Sequence, residues 1–149
     1  MSALTRISID AARAPVYHVP DASSTLDVAA RLLADTATPT PHLTTIIADS
    51  QSAGRGRLGR SWITPPGQAL LASTIISLPA SLPTEALGWI LHACALAVRD
   101  ALSERLTDLG HTVTLKWPND VLVDEERKIC GMLAQLAPAS SPFTTCVIL

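Results

Sequence analysis

Lysine is scarce in this sequence. Its 149 residues contain only two lysines, Lys116 and Lys128, and the formal net charge is -2. This balance excludes a strongly basic protein that binds a polyanion through bulk charge. Charged residues make up 16% of the chain and hydrophobic residues 48%, which excludes an intrinsically disordered protein. A chain of about 150 residues then predicts one folded domain with a single core.

Cysteines and long apolar segments are also few. The three cysteines, Cys94, Cys130 and Cys146, form no C-x-x-C pair, and residues 1–10 lack the apolar core of a secretory signal peptide. Both observations predict a protein of the reducing cytoplasm. The longest apolar run, Ala86–Val98, is shorter than the roughly 18 to 20 residues of a membrane span, so we expect a soluble protein that does not bind a membrane.

Hydrophobic periodicity predicts an α+β fold. Apolar residues recur at helical spacing in Ser24–Ala34, behind a Ser or Thr cap, and in Glu85–Thr107, for which Thr84 is the expected cap. The predicted architecture is a mixed, largely antiparallel sheet with both helices on one face. Strands are predicted at Pro15–Val19, Thr44–Ala48, Ser61–Ile63, Ala69–Leu78, Thr112–Trp117, Val121–Val123, Lys128–Leu136 and Thr144–Leu149.

A segment rich in glycine and arginine lies near the middle of the chain. Gly54–Arg60 holds three glycines and three arginines, and no acidic residue occurs between Asp49 and Glu85. The segment fits the G-x-G-x-x-G pattern, but residues 62–66 include two prolines and cannot form the helix that a dinucleotide site needs. Two interpretations remain: a cationic loop that closes over a carboxylate or phosphate, or a mobile surface loop with solvated arginines.

A second candidate site is the KWPND corner at Lys116–Asp120, between two predicted strands. Pro118 ends the first strand because proline lacks the N–H that a sheet needs. One interpretation is that Asp120 gives an oxygen to a hydrated Mg²⁺ while Lys116 offsets phosphate charge, as in nucleotide sites. The other is ordinary turn chemistry, for which Pro-Asn-Asp is a common sequence.

The strand predicted after this corner begins with Lys128 and carries Gly131 three residues later. The glycine lets a ligand approach the sheet closely. Lys128 is either a cation of the same nucleotide site or a solvated lysine at a strand end.

Three motifs, in this order, resemble the catalytic domain of biotin-protein ligases: GRGRLGR at Gly54–Arg60, KWPND at Lys116–Asp120 and KICG at Lys128–Gly131. The resemblance covers Ala14–Leu149. It implies a mixed sheet related to class II aminoacyl-tRNA synthetases and a reaction in two steps. Biotin and ATP with Mg²⁺ give biotinyl-5'-AMP and pyrophosphate. The biotinyl group then passes to a lysine of the biotin carboxyl carrier protein of a biotin-dependent carboxylase.

The resemblance also implies roles for individual residues. Arg57 would hold the reactive phosphate, and Lys128 would hold the biotin carboxylate and the α-phosphate, with Lys116 as a further catalytic cation. Asp120 is the expected Mg²⁺ ligand, and Trp62 would stack near the adenine. The residues expected to bind biotin or the adenylate are Ser24, Thr25, Gln51, Gly54, Arg55, Gly56, Arg57, Arg60, Trp62, Asn119, Lys128 and Gly131.

The implied chemistry agrees with the residue types. A carboxylate that attacks a phosphorus atom brings two anions together, so fixed cations and Mg²⁺ matter more than a nucleophilic side chain. We therefore expect the three cysteines and the four histidines of the chain to be structural.

The chain departs from the pattern of the family. Leu26 follows Ser24 and Thr25 where the family has asparagine, and a Gly-x-Gly-x-Asn segment of the family is absent. We expect one catalytic domain over residues 1–149, incomplete at its C-terminus and without an N-terminal DNA-binding domain.

Two other functions are alternatives to an active ligase. One is a fragment that binds biotin or a nucleotide with little or no turnover. The other is an arginine-loop protein that binds nucleic acid, against which the net charge of -2 argues. The oligomeric state is left open, a homodimer being one option.

Overall fold

The computed structural model describes residues 3–10, 12–137 and 144–148 of the chain. The chain forms two compact units, the first made of Met1–Ser81 with Ala134–Leu149 and the second of Leu82–Leu133. Buried apolar side chains occur in both units. Each unit is described by itself.

Most of the elements of the chain are strands. In the part that the structure describes, two short 3₁₀ turns, at Arg57–Gly59 and Thr107–Leu109, accompany eleven strands and two α-helices. In chain order these are β1 (Thr5–Ile7), β2 (Val16–Ala22), α1 (Thr25–Ala34), β3 (Thr45–Gln51), β4 (Gly54–Arg55), β5 (Ser61–Trp62), β6 (Leu71–Pro79), α2 (Thr84–Leu106), β7 (Val113–Lys116), β8 (Asp120–Val123), β9 (Arg127–Gly131), β10 (Gln135–Ala137) and β11 (Thr144–Ile148).

A six-stranded sheet forms the first unit, in the order β1-β2-β3-β6-β11-β10. Strands β2 and β3 pair in parallel, because α1 crosses between them, and the other pairs are antiparallel. The α+β class and the largely antiparallel pairing are confirmed. The strands nevertheless divide among three sheets, since β4 and β5 form a two-stranded ribbon and β7, β8 and β9 a separate sheet.

Helix α1 holds the core of the first unit. Its side chains at Leu26, Ala29 and Leu33 are buried at helical spacing, and the helix packs on β3 and β6. Burial of each leucine stabilises the fold by about 1.5–3 kcal/mol. The predicted cap is confirmed: the Ser24 hydroxyl accepts a hydrogen bond from the Leu26 N–H, 3.3 Å away, one of the N–H groups that the first turn leaves without an intrahelical acceptor.

The second unit pairs helix α2 with the sheet β7-β8-β9. Alternation along β8 buries Val121 and Val123 on one face of this sheet, and α2 packs on β7 and β8. The prediction that Thr84 caps α2 is wrong, because Pro83 occupies the cap position and Thr84 is the first helical residue. Proline lacks an N–H, which the start of a helix does not need.

One predicted strand is two strands in the structure. Lys128–Leu136 was expected to be continuous, yet β9 ends at Gly131 and pairs with β8, whereas β10 pairs with β11 in the other sheet. The apolar run is continuous in sequence, but its two halves find different partner strands. The last predicted strand is confirmed over Thr144–Ile148, and Leu149 lies outside the described residues.

Helix α2 is longer than the apolar run within it. Residues Glu85–Leu109 are long and apolar enough, by length and composition, to cross a membrane. The sequence-based expectation measured only Ala86–Val98 and so missed this length. Long helices of soluble proteins share these properties.

Candidate functional site

A buried polar cluster lies at the N-terminus of α1 in the first unit. The side-chain oxygen of Gln51 accepts hydrogen bonds from the Thr25 N–H, at 2.7 Å, and from the Thr25 hydroxyl, at 3.1 Å. The Ser73 hydroxyl donates to the Thr25 hydroxyl at 2.8 Å. Ser24, Thr25 and Ser73 are all at most 4% exposed. The cluster is electrically neutral and can exchange hydrogen bonds with an uncharged polar ligand.

Three predicted site residues, Ser24, Thr25 and Gln51, meet in this cluster, and Ser73 is a member that the sequence analysis missed. Ser73 lies in β6, directly opposite Ile46 of β3. The available signal was a pair of hydroxyl residues in the middle of an apolar strand, because buried polar groups need partners. The hydrophobic periodicity of the sequence does not show which residues those hydrogen-bond partners are.

The glycine- and arginine-rich loop begins as the β4-β5 ribbon. A Cβ on Gly54 would lie less than 3.0 Å from the backbone oxygen of Trp62, so only glycine fits where the two strands meet. Beyond the ribbon, the Gly56 N–H donates to the Arg60 oxygen at 2.7 Å, and Leu58 and Gly59 have positive φ. A three-residue 3₁₀ turn takes the place of the α-helix that a dinucleotide motif requires, as expected.

The arginines of the loop are in different environments. Arg55 forms an ion pair with Asp27 of α1, its Nη2 2.7 Å from Oδ1, while the Ser23 hydroxyl donates to the other oxygen of Asp27. Arg55 therefore joins the ribbon to the start of α1. Arg57 and Arg60 are exposed in the turn, and Trp62 is 38% exposed in β5. Their predicted contacts with the adenylate stay predictions.

In the second unit, strand register places the charged residues on one face of the sheet. Lys116 is directly opposite Asp120, and Asp120 is directly opposite Gly131. Opposed residues of antiparallel strands share a face, and this face is the one turned away from buried Val121 and Val123. The Lys128 ammonium also reaches it and lies 2.7 Å from Oδ1 of Asp120.

A groove of about 520 Å³ opens on this face. We call it the lysine groove, because both lysines of the chain line it. Glu125 and Glu126, at the tip of the β8-β9 hairpin, were not predicted as site residues. The groove is lined by Thr114, Leu115, Lys116, Asp120, Leu122, Glu125, Glu126 and Lys128.

The KWPND corner is tied to the end of β9. The Asn119 side-chain N–H donates to the Met132 oxygen at 2.9 Å, and the Met132 N–H donates back to the Asn119 oxygen at 2.9 Å. The peptide bond before Pro118 is cis. Trp117, 78% exposed, stacks on His92 of α2 with ring centroids 6.1 Å apart. The corner is therefore held on both sides within its unit.

The donor set for a metal ion is small. Among the described residues, no group of three or more His, Cys, Asp or Glu side chains could hold a metal. Asp120 offers one carboxylate, which the Lys128 ammonium already contacts. One protein carboxylate fits Mg²⁺ only where nucleotide phosphates and water supply the other ligands, which is its usual mode in nucleotide sites.

Burial or polar contacts surround Cys94, Cys130 and the four histidines. Burial raises the pKa of the Cys94 thiol and, as the largest cause, that of the Cys130 thiol. Such thiols are poor nucleophiles. His18 lies 3.0 Å from Asp49, and His111 lies 2.9 Å from Asp124. The backbone of Ser77 donates to His42, and His92 contacts the oxygen of Gly88.

Two curated proteins illustrate the similarity of this chain to known proteins. The biotin--[acetyl-CoA-carboxylase] ligase of Mycobacterium tuberculosis is 37% identical over 92 residues, which are 62% of this chain and 34% of that protein. The bifunctional ligase/repressor BirA of Bacillus subtilis is 31% identical over 121 residues, which are 81% of this chain and 34% of that protein. The chain thus spans about a third of the length of these curated relatives.

Solved structures agree. Biotin protein ligase from Leishmania major in complex with biotinyl-5-AMP has a TM-score of 0.60 at 25% identity, over 89% of this chain and 55% of that one. Biotin protein ligase from Aquifex aeolicus in complex with biotin and ATP has a TM-score of 0.53 at 27% identity, over 89% and 50%. A model of the biotin/lipoate A/B protein ligase family matches residues 23–149. This match covers most of the sequence, and the chain belongs to that family.

Proposed function

We propose that this protein activates biotin with ATP to biotinyl-5'-AMP and transfers the biotinyl group to a lysine of a biotin carboxyl carrier protein. One observation carries the proposal. The only two lysines of the chain, Lys116 and Lys128, line a single groove, where Lys128 is held by Asp120. Folding alone does not require both lysines to lie at one groove. A site that binds phosphates does require positive charges close together.

The first step needs positive charge. An oxygen of the biotin carboxylate forms a bond to the α-phosphorus of ATP, and the bond from that phosphorus to pyrophosphate breaks. Negative charge accumulates around the phosphorus, so fixed ammonium and guanidinium groups lower the barrier. Lys116 and Lys128, which line the lysine groove of the second unit, are the proposed ammonium groups. No side chain is needed as a nucleophile.

The neutral polar cluster is the proposed biotin contact. The head group of biotin is uncharged and carries both N–H donors and a carbonyl acceptor. The Thr25–Gln51–Ser73 cluster offers neutral groups of both kinds and is buried. A buried site of this type selects its ligand strongly, because a mismatched ligand leaves polar groups unpaired.

Further parts of the proposal concern the metal, the partner and the compartment. We propose that Mg²⁺ arrives with ATP and that Asp120 is its protein carboxylate. The carrier is proposed from the activity of the curated relatives, one of which is an acetyl-CoA-carboxylase ligase. A reducing compartment such as the cytoplasm suits the unpaired Cys94 and Cys130.

The test is biotin-dependent exchange of labelled pyrophosphate into ATP, followed by transfer to a purified carrier domain detected with streptavidin. We expect exchange in the wild-type protein, and loss of most of it in Lys128→Gln. Arg105→Gln, which removes one positive charge from the exposed face of α2, is the matched control and should keep wild-type activity.

Three results would contradict the proposal. Biotin binding by calorimetry without any exchange would favour a binding fragment. Exchange that depends on lipoate instead of biotin would identify the chain as a lipoate ligase of the same family. Equal exchange in Lys128→Gln and Arg105→Gln would show that the lysine groove is not the site.

A further inference from the structure

Gly131 leaves a gap that the Lys128 side chain fills. A Cβ on Gly131 would lie 2.7 Å from both Cε and Nζ of Lys128, and 3.5 Å from Oδ1 of Asp120. The lysine side chain therefore passes directly over the glycine backbone. It crosses from β9 to β8 and ends against the Asp120 carboxylate.

A β-bulge brings Lys128 to this face. In a regular strand, residues three apart point to opposite faces, so Lys128 and Gly131 would be separated. In the structure Val121 pairs with Cys130 and Leu122 pairs with Lys128, which leaves Ile129 as an extra residue in β9. Bulges re-aim side chains in this way and are frequent beside active sites. Without the extra residue, Lys128 would oppose Val123 on the buried face.

We infer that Gly131 is a positioning residue that acts through Lys128. The missing side chain lets the ammonium rest against Asp120, and the bulge at Ile129 aims the lysine at that gap. The effect on catalysis rests on the proposed function, since a preorganised cation lowers a barrier only if the reaction uses it. The effect on geometry does not rest on it. Gly131 thus differs from a glycine that merely makes room for a ligand.

Gly131→Ala tests the inference, because it moves the lysine and leaves the backbone intact. The φ angle of Gly131 lies outside the left-handed region, so alanine can adopt it. The only close atoms are at the flexible end of Lys128, which can move away. Gly88→Ala is the matched control, since a Cβ there meets nothing within 4 Å.

The geometric measurement uses the small number of lysines. Protein labelled with ¹³C at lysine Cε gives two signals, and Lys116→Arg assigns them. In the wild type, Asp120→Asn should shift the Lys128 signal. In the Gly131→Ala background the same substitution should shift it much less, because the ammonium no longer contacts residue 120. An equal shift in both backgrounds would overturn the inference.

The catalytic measurement is the exchange assay. A displacement of about 1 Å can lower a rate about 100-fold. We expect kcat to fall by this order in Gly131→Ala, with the KM values for ATP and biotin near those of Gly88→Ala and the thermal stability near that of the wild type. If Lys128 is displaced and exchange stays at the control level, the positioning role is wrong.

The two hypotheses can fail separately. A wild-type protein without exchange activity contradicts the proposed function, and the labelled-lysine spectra then decide the inference alone. If Gly131→Ala does not fold, Asp120→Asn in the wild-type background decides it. An unmoved Lys128 signal in that variant overturns the inference.

Discussion

Gln51 and Thr25 are joined by two hydrogen bonds to a single oxygen, from the N–H of Thr25 at 2.7 Å and from its hydroxyl at 3.1 Å. This pair fixes which way the Gln51 amide points. Its oxygen faces α1, and its Nε2 faces Gly54, where an added Cβ would be 3.3 Å away. The amide nitrogen is therefore the group that Gln51 can turn toward a ligand.

Gln51→Glu should weaken biotin binding without unfolding the protein. A carboxylate oxygen can still accept both hydrogen bonds from Thr25, but the Nε2 donor is replaced by a second acceptor. We expect the biotin KM to rise about 10- to 100-fold, as for the loss of one buried hydrogen bond, with kcat little changed. Gln68→Glu, at an exposed position, is the control. An unchanged KM for biotin would show that the Gln51 amide nitrogen does not contact biotin.

Arg57→Gly should release the adenylate. The guanidinium is the expected partner of its phosphate, and charge-assisted hydrogen bonds are the strong ones. We expect biotinyl-5'-AMP to dissociate about 10- to 100-fold faster, measured by filter retention of the labelled intermediate. Leu58→Gly adds a glycine to the same loop at a position with φ of 58° and removes no charge. If both variants retain the adenylate equally, loop charge does not hold it.

Gly54→Ala should destabilise the β4-β5 ribbon. The added methyl group would overlap a backbone oxygen of Trp62, which cannot rotate away as a side chain can. Overpacking of this kind costs about 1–3 kcal/mol. Gly88→Ala should instead stabilise α2 by about 0.5–1 kcal/mol, because glycine is a poor residue inside a helix. Urea unfolding of the two variants measures both effects. Equal unfolding midpoints would contradict the prediction that only Gly54 is required by its surroundings.

The buried thiols predict a pH dependence of stability. The pKa values of Cys94 and Cys130 are raised in the folded state, so the unfolded chain loses these protons first as pH rises. The free energy of unfolding should therefore fall as pH rises through and above the usual pKa range of a free thiol. At lower pH these two groups should not change it. The double variant Cys94→Ala, Cys130→Ala should show a flatter decline between pH 8 and 10. If the free energy of unfolding declines as steeply as in the wild type, the two thiols are not the cause of the decline.

Local signals predicted the elements that local contacts build. Helix α1 matches the prediction almost to the residue, because Ser24 caps it and apolar spacing defines its buried face. The short β4 strand and the division at Gly131 were not predicted. Both depend on which distant strand supplies the hydrogen bonds. An apolar run of residues does not indicate which strand it will pair with.

The candidate site divides in the same way. Gly54–Arg60, Lys116 and Lys128 could be selected from composition and motif spacing. The contact of Lys128 with Asp120 could not, because it depends on one unpaired residue, Ile129, within a register that the sequence does not reveal. The ion pair of Arg55 with Asp27 was missed because it joins residues 28 positions apart.

The first turn of α1 is a junction of several parts of its unit. Ser24 caps it, the N–H of Thr25 reaches the end of β3, and Asp27 holds the β4-β5 ribbon through Arg55. A ligand that pulls on Gln51 or rearranges the ribbon must therefore disturb the same few amides. The Thr25 N–H is thus a natural spectroscopic reporter, whose chemical shift and hydrogen exchange would register occupancy before any product is made.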